Sequence, residues 1–158
     1  MARVDSVNVF EDDHEYDPED PPGYRAGAIR ISKQLGARGL AVKSFVLAHG
    51  ETVCPYHYEY EEEWLLVLDG TIVLRTPEGE RDMHRGEIVA FPPGPGGAHK
   101  TTNRGPEQAR LLMFSSAREP AFAVYPDSDK IGAWSGNEAD DVLLFRRDGD
   151  AGYYDGEI

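Results

Sequence analysis

Short runs of β-forming residues, each ended by a glycine or proline turn, are the feature that most constrains how this chain folds. The best-defined pair joins residues 64–68 to residues 71–75 through Asp69-Gly70, a dipeptide that favours a two-residue hairpin. Apolar residues nowhere recur with the sustained 3.6-residue period of an amphipathic helix. Many short strands of this kind are typical of a β-sandwich or barrel. The sequence therefore predicts one all-β domain.

The 158 residues suffice for one domain with a hydrophobic core. Further strands are expected at residues 28–32, 40–47, 81–84, 87–91, 109–115, 121–125 and 142–146. Residues 11–20 are strongly acidic and precede Pro21-Pro22-Gly23. Because proline lacks a backbone donor and interrupts helical periodicity, this segment is predicted to be a solvated arm or an irregular covering loop.

The charge balance restricts the class of partner. The net charge of −13 arises from 29 acidic and 16 basic residues, which repels phosphate backbones and anionic membrane surfaces. We therefore expect neither nucleic acid nor a membrane as a partner. No apolar run approaches the length of a membrane span, and no signal sequence is apparent near Met1. Cys54 is the only cysteine, so an intrachain disulfide is impossible and a cytoplasmic location is expected.

Candidate metal ligands cluster around two predicted strand ends. His57 and Glu59 are two residues apart, so on an extended segment both side chains leave the same face. Glu63 has the same parity, and His99 follows a second predicted strand and its Gly/Pro-rich loop. Two imidazoles and two carboxylates suit a divalent transition metal such as Fe, Mn, Ni or Zn. The alternative is a polar barrel mouth that is hydrogen-bonded without an ion.

Two motifs in these segments resemble those of the cupin superfamily, G(X)5HXH(X)3–4E(X)6G and G(X)5PXG(X)2H(X)3N. The first matches Gly50, His57, Glu59, Glu63 and Gly70, with one extra residue after Gly50. The second matches Gly86, Pro92, Gly94, His99 and Asn103, with two extra residues before His99. Residues 125–130 also resemble a group of single-domain bacterial cupins that are sometimes provisionally labelled sugar-phosphate isomerases.

The resemblance implies a double-stranded β-helix, also called a jelly-roll barrel. The expected division is an acidic N-terminal arm at residues 1–25, a cupin barrel at 26–125 and a C-terminal extension at 126–158 that packs on the barrel. A homodimer is also implied by the resemblance.

For the site, the resemblance implies that His57, Glu63 and His99 are metal ligands, whereas Glu59 stands where a second histidine is expected. Glu59 is therefore predicted to be a fourth ligand or a general base. Two carboxylates make the centre less positive than three imidazoles and one carboxylate would, so the ion polarises a carbonyl less.

The leading hypothesis is an enzyme that acts on a small polar carbonyl, enol or sugar-like compound through one divalent metal. Isomerase or epimerase chemistry and dioxygenase chemistry both stay open. A non-catalytic small-molecule or sugar-binding cupin with a degraded metal site is the alternative, and an interaction protein that uses the acidic arm is a third possibility.

Several other side chains receive structural predictions. Tyr56, Tyr58 and Tyr60 alternate with His57 and Glu59 and are expected to face away from the site. Three cations could meet an anionic substrate inside a barrel, although solvated positions are commoner: Arg75, Lys100 and Arg110.

Overall fold

The computed structural model describes residues 5–116, 118–134 and 142–149. Strands account for most of the regular structure in these residues, together with one short α-helix and three short 3-10 helices. The strands are β1 (Gly27–Ile29), β2 (Leu40–Leu47), β3 (Tyr58–Glu59), β4 (Glu63–Asp69), β5 (Thr71–Thr76), β6 (Gly79–His84), β7 (Ile88–Phe91), β8 (Lys100–Thr102), β9 (Ala109–Ser116), β10 (Ala121–Tyr125), β11 (Lys130–Trp134) and β12 (Val142–Arg146). The helix α1 covers Ile31–Leu35, and the 3-10 helices cover Pro95–Gly97, Pro126–Ser128 and Arg147–Gly149.

The strands form antiparallel sheets with the orders β1-β2-β9-β4-β7, β12-β11-β10-β3 and β6-β5-β8. This arrangement confirms the predicted all-β barrel. Strands β11 and β12 continue the sheet that contains β10. The predicted division into arm, barrel and extension stays a prediction.

The hairpin of β4 and β5 supplies much of the core. Leu65 and Val67 are fully buried, whereas Trp64, Leu66 and Leu68 are partly exposed, so buried and exposed side chains alternate along β4. The core cluster consists of Ala26, Leu47, Leu65, Val67, Ile72, Leu74, Met83, Phe91, Ala109 and Leu111. Gly70 closes the hairpin with a φ of +77°, and a Cβ there would lie 2.9 Å from the Gln108 carbonyl oxygen.

The strand predicted at residues 28–32 is wrong over its second half, because α1 begins at Ile31. Gly36 ends this helix in the left-handed region, at φ 68°. The Ser32 hydroxyl donates to the Leu40 carbonyl and accepts from the Val42 amide, at 2.8 and 2.6 Å. These contacts attach the helix to β2. An alternation of only five residues carries too little signal to outweigh local hydrogen bonds and a glycine cap.

The acidic N-terminal segment is an irregular covering loop, one of the two predicted forms. Its backbone pairs with β1 in one antiparallel bridge between Glu15 and Ala28. His14 Nε2 lies 3.1 Å from the Ser44 hydroxyl on β2, and the Arg110 guanidinium donates to the Val9 carbonyl. The segment therefore covers the outer face of the first sheet. No helix in the described residues is long and apolar enough to cross a membrane.

Candidate metal centre

One backbone bridge brings the two histidines of the predicted site together. The His57 amide donates to the His99 carbonyl at 3.1 Å, and the His99 amide donates to the His57 carbonyl at 2.8 Å. Their imidazole rings consequently lie side by side, with centroids 4.8 Å apart. His57 precedes β3 and His99 precedes β8, so the bridge joins two segments that are 42 positions apart in the sequence.

Both imidazoles are held in one orientation by their own segments. Nδ1 of His57 donates to the Pro55 carbonyl at 3.0 Å, and Nδ1 of His99 donates to the Gly97 carbonyl at 2.9 Å. With the proton on Nδ1, the Nε2 atom of each ring keeps a free lone pair. The His99 ring also stacks on Phe91, with centroids 3.7 Å apart. Both rings are thus oriented as metal-binding imidazoles usually are.

Glu63 completes a group of three possible ligands. Its Oε2 lies 3.8 Å from Nε2 of His57 and 3.8 Å from Nε2 of His99. One ligand atom from each of these residues lies within 4.8 Å of the others. Bonds of about 2.0–2.2 Å to a single ion can be reached across separations of this size with little rearrangement.

The group fits a divalent metal ion on a further observation. His99 Nε2 is completely buried and has no hydrogen-bond partner among the described residues. Leaving such an atom unsatisfied costs about 1–3 kcal/mol, and a cation between the two imidazoles and the carboxylate would satisfy it. Imidazole nitrogens and carboxylate oxygens suit Zn and first-row transition metals. The site is therefore suited to a metal ion whose identity the donor set leaves open.

Glu59 lies beside this group. Its Oε1 is 3.9 Å from His57 Nε2, and its side chain is 25% exposed. Strand β3 pairs Glu59 with Ala123 of β10, and the Glu59 carbonyl accepts from the Gly94 amide at 2.7 Å. The backbone is thus fixed from both sides while the carboxylate borders the cavity. The predicted role of Glu59 as a fourth ligand or a base stays a prediction.

Burial and mutual charge set the protonation of the site. Burial, followed by the Glu59 charge, raises the pKa of Glu63 to about 8, and Lys43 opposes this shift. Burial also raises the pKa of Glu59, again opposed by Lys43. Burial and the neighbouring His57 lower the pKa of His99 to about 4, and burial lowers the pKa of His57. At neutral pH both imidazoles are therefore neutral, as metal binding requires.

A cavity of about 510 Å³ opens next to the three-residue group. Tyr125 lies at its wall with its ring 5.9 Å from the His57 ring, and burial raises the pKa of its hydroxyl to about 12. Burial likewise raises the pKa of the Cys54 thiol to about 12, which makes this cysteine a poor nucleophile. The lining residues are Ala41, Lys43, Phe45, Val53, Cys54, His57, Glu59, Glu61, Glu63, Met113, Phe114, Ser115, Ser116, Arg118, Glu119, Ala121, Tyr125 and Trp134.

The three cations predicted as possible substrate contacts are absent from this lining. Arg75 forms a two-bond ion pair with Asp127 and lies over the Tyr56 ring. Arg110 contacts the covering loop, and the Lys100 ammonium lies over Tyr24.

Lys43, which the sequence reasoning missed, lines the cavity instead. Its alternation with Ala41, Phe45 and Leu47 along β2 was the signal that could have identified it.

The three tyrosines predicted to face away from the metal site are absent from the lining of its cavity. Tyr56 is buried beneath Arg75, and Tyr58 and Tyr60 contact each other edge to face, with ring centroids 5.9 Å apart. Trp64 stacks on Phe114 and donates to the Glu62 carboxylate.

The central part of the chain matches a known domain family. The family model of the cupin domain matches residues 43–115, a range that contains His57, Glu59, Glu63 and His99. Residues 43–115 therefore carry a cupin domain, as the two motifs indicated.

Two solved structures share the fold over nearly the whole chain. One is a provisionally named sugar phosphate isomerase from Acidithiobacillus ferrooxidans, with a TM-score of 0.79, 20% identity and 91% of each chain covered. The other is a cupin-superfamily sugar phosphate isomerase from Silicibacter pomeroyi, with a TM-score of 0.77 and 23% identity, covering 96% of this chain and 98% of that one.

A curated relative, the tetracenomycin polyketide synthase protein TcmJ of Streptomyces glaucescens, is 26% identical over 103 residues. The match covers 63% of this chain and 68% of that protein.

Proposed function

We propose that this cupin is a metal-dependent enzyme of the isomerase or epimerase type, which moves a proton on a small polar carbonyl, enol or sugar-like compound. The observation that carries the proposal is the buried, unpartnered Nε2 of His99. It lies near a carboxylate and a second imidazole that also bonds a backbone carbonyl through Nδ1. Such an arrangement is costly for a simple polar cavity and favourable for a metal centre.

His57, Glu63 and His99 would hold the ion, with iron, manganese, nickel and zinc as candidates. When bound, a divalent ion supplies Lewis-acid polarisation of a substrate carbonyl. For isomerisation, Glu59 Oε1 would accept a proton from the carbon next to that carbonyl and return it to the carbonyl carbon, while the hydroxyl proton of the first carbon passes to the carbonyl oxygen. For epimerisation, the proton would return to the carbon from which it came. Because burial raises the pKa of Glu59, its carboxyl group titrates closer to neutral pH, where one group can serve as both base and acid.

Two other features of the cavity suit this chemistry. Tyr125 keeps its proton at neutral pH because its pKa is about 12, so its hydroxyl can donate a hydrogen bond to a substrate oxygen. Phe45, Met113 and Trp134 line the cavity with apolar surface, which reduces the access of water to an enol-like species.

The experiment that tests the proposal measures bound metal and proton exchange together. Untagged protein purified without chelator is analysed for metal, as wild type and as His99→Ala and Glu59→Ala, with His84→Ala as the control. His84 is suitable because it is exposed and hydrogen-bonds Thr71, away from the centre. Aldose and ketose phosphates are then incubated with each protein in D2O. The names of the two structural neighbours make these compounds the first to assay.

We expect about one equivalent of metal in the wild type and in the His84 variant, and its loss from His99→Ala. Deuterium should enter the carbon next to the carbonyl, and Glu59→Ala should lose this exchange while retaining metal. Loss of metal from Glu59→Ala would instead make Glu59 a ligand. A wild type that binds no metal after reconstitution would contradict the proposal.

Two alternatives have distinct outcomes in the same experiment. Dioxygenase chemistry would consume O2 and require a redox metal, whereas isomerisation would not. A non-catalytic small-molecule or sugar-binding cupin is favoured by one observation, the carboxylate of Glu59 at the position of the family's second histidine. Ligand binding without deuterium exchange or O2 consumption would support that reading.

We also propose a cytoplasmic homodimer. The single cysteine suits a reducing compartment, which supports the cytoplasmic location.

The proposed dimer rests on strand β12, which lies at a sheet edge. Its residues Val142, Leu143, Leu144 and Phe145 are 38–57% exposed. An exposed apolar edge strand favours pairing with another chain. Light scattering of the wild type against Leu144→Lys tests this, and an unchanged mass would contradict dimerisation through β12.

A further inference from the structure

Lys43 occupies an unusual position on the inner row of β2. Ala41, Lys43 and Phe45 all line the metal cavity, and Leu47, next in the same row, belongs to the hydrophobic core. The residue between Lys43 and Phe45, Ser44, instead contacts His14 of the covering loop. The alternation of the strand therefore directs a lysine to the side of the sheet that carries the metal centre.

Lys43 also borders a second cavity, of about 880 Å³, between the covering loop and the barrel. Four residues line both cavities: Lys43, Phe45, Val53 and Cys54. The second cavity includes two further cations, Arg30 and Lys130, and three carboxylates, Glu15, Asp17 and Asp20, none of which lines the metal cavity. Lys43 thus lies at the boundary between two spaces, and Lys130 lies only on the outer one.

Lys43 forms no close ion pair in the metal cavity, although its charge acts on Glu59 and Glu63. Arg118, the other cation of the lining, lies 3.8 Å from the Glu61 carboxylate. No carboxylate oxygen in the described parts of the chain lies within 4.0 Å of the Lys43 ammonium. A divalent ion would balance the two carboxylates of Glu59 and Glu63, so the charge of Lys43 would be left over. Glu119, the remaining acidic residue of the lining, is exposed at the rim, as Lys43 is.

We infer that Lys43 is a specificity-determining residue that binds an oxyanion substituent, a phosphate or a carboxylate, of the substrate at the edge of the metal cavity. The inference rests on the proposed function, since it assigns a substrate class to the same site. A lysine ammonium is a compact point charge with three donors and binds phosphate or carboxylate oxygens without a fixed geometry. The polar end of the substrate would then be held by Lys43 while its carbonyl lies toward His57, Glu63 and His99.

The test compares two ligands whose affinities Lys43 should change in opposite directions. Lys43→Met keeps the length of the side chain and removes its charge, and Lys43→Arg keeps the charge. Lys130→Met removes one of the two cations that border only the outer cavity. The probes are inorganic phosphate and, separately, acetate, titrated calorimetrically into metal-free protein and into desalted, metal-loaded protein. The affinity for Zn(II) is measured by competition with a chromophoric chelator.

We expect Lys43→Met to weaken phosphate or acetate binding about ten-fold. This loss of affinity is larger than that expected for an exposed ion pair and smaller than that for a buried charged hydrogen bond. Removing a positive charge next to the metal ligands should tighten Zn(II) binding by about three-fold. Lys43→Arg should keep anion binding within about three-fold of wild type, and Lys130→Met should leave both affinities unchanged. The probe that binds with the higher affinity, phosphate or acetate, indicates whether the substituent is a phosphate or a carboxylate.

Three results would overturn the inference. Anion binding that is undetectable in the wild type, or unchanged in Lys43→Met, removes the role of Lys43. Weakening of both Zn(II) and anion binding indicates general damage to the site. An equal loss in Lys130→Met moves the anion to the outer cavity. The proposed function fails separately, if the wild type binds no metal, and the titrations of metal-free protein still report on Lys43 in that case.

Discussion

The protonation of Glu63 makes the stability of the metal-free protein depend on pH in an unusual direction. Burial and Glu59 raise its pKa to about 8 from an ordinary value of 4.5. The folded state therefore retains a proton that the unfolded state releases, so the free energy of unfolding decreases as pH rises from the unfolded to the folded pKa. His99 acts oppositely, because its pKa falls to about 4 from 6.5, and its effect is complete by about pH 6.5. Between pH 6.5 and 8, the free energy of unfolding therefore changes through the ionisation of Glu63 and not through that of His99.

The magnitude in that window follows from the shift. Each pH unit between the two pKa values changes the free energy of unfolding by about 1.4 kcal/mol, so the wild type should lose roughly 2 kcal/mol between about pH 6.5 and 8. Glu63→Gln removes the ionisation and should abolish most of this loss. Burial also raises the pKa of Glu59, so its ionisation acts in the same direction as that of Glu63.

The assay is urea unfolding of chelator-treated protein, followed by tryptophan fluorescence at several pH values across the window. Glu107→Gln is the matched control, because Glu107 is exposed, does not line the metal cavity, and accepts from Asn103 through its backbone carbonyl, which the substitution keeps. Glu107→Gln should retain the pH dependence of the wild type. Parallel curves for the wild type and Glu63→Gln would refute the argument that Glu63 is buried and protonated. Added metal should stabilise the wild type more at pH 8 than at pH 6.5, since binding displaces the Glu63 proton.

Three further substitutions probe the scaffold of the site. Gly97→Ala places a Cβ 1.9 Å from the Pro92 carbonyl oxygen and should weaken metal binding at least about ten-fold, because it displaces the carbonyl that orients His99. The control Gly96→Ala, whose Cβ meets nothing within 4 Å, should leave metal binding unchanged. Equal metal affinities of the two variants would contradict this. Leu65→Ala should cost about 2–5 kcal/mol in urea unfolding, against less than about 1 kcal/mol for the exposed Leu40→Ala, and similar losses would contradict the assigned core. Asn103→Ala removes the donor to the Leu47 and Glu107 carbonyls and should cost about 2 kcal/mol in the same assay; a neutral result would mean that water replaces it.

Much of the fold was predictable because the chain marks its turns strongly. Asp69-Gly70 identified the hairpin of β4 and β5, and the predicted strand at residues 121–125 coincides with β10. The strands that were missed are β3, β8 and β11. Strand β8 has three residues and follows the Gly/Pro-rich loop, and β11 contains Gly132. In such segments the partner strand determines the conformation, and local propensity carries little information.

The site was predictable to a different extent. The two motifs identified His57, Glu63 and His99, and these residues meet in the structure. The alternation of Lys43 with Ala41 and Phe45 becomes informative only once the side of β2 that faces the cavity is known, since a one-residue change of register reverses the two faces. Arg75 illustrates the reverse case, because the Asp127 that neutralises it is 52 positions away in the sequence. Charged residues are informative only after their partners are known.

The candidate metal centre depends on one local hydrogen bond in each of the two motif segments and on one long-range contact between the segments. In each motif segment, a histidine donates from Nδ1 to the carbonyl of the residue two positions earlier, Pro55 for His57 and Gly97 for His99. Each imidazole is thus oriented by a contact that forms within its own segment. The bridge between the two segments then brings both Nε2 atoms to the same carboxylate. Because Glu63 begins the strand that buries Leu65 and Val67, packing of the core fixes the position of that carboxylate. Extra residues between Gly94 and His99 can therefore be accommodated without disturbing the ligands, provided that the bridge and the two carbonyls are kept.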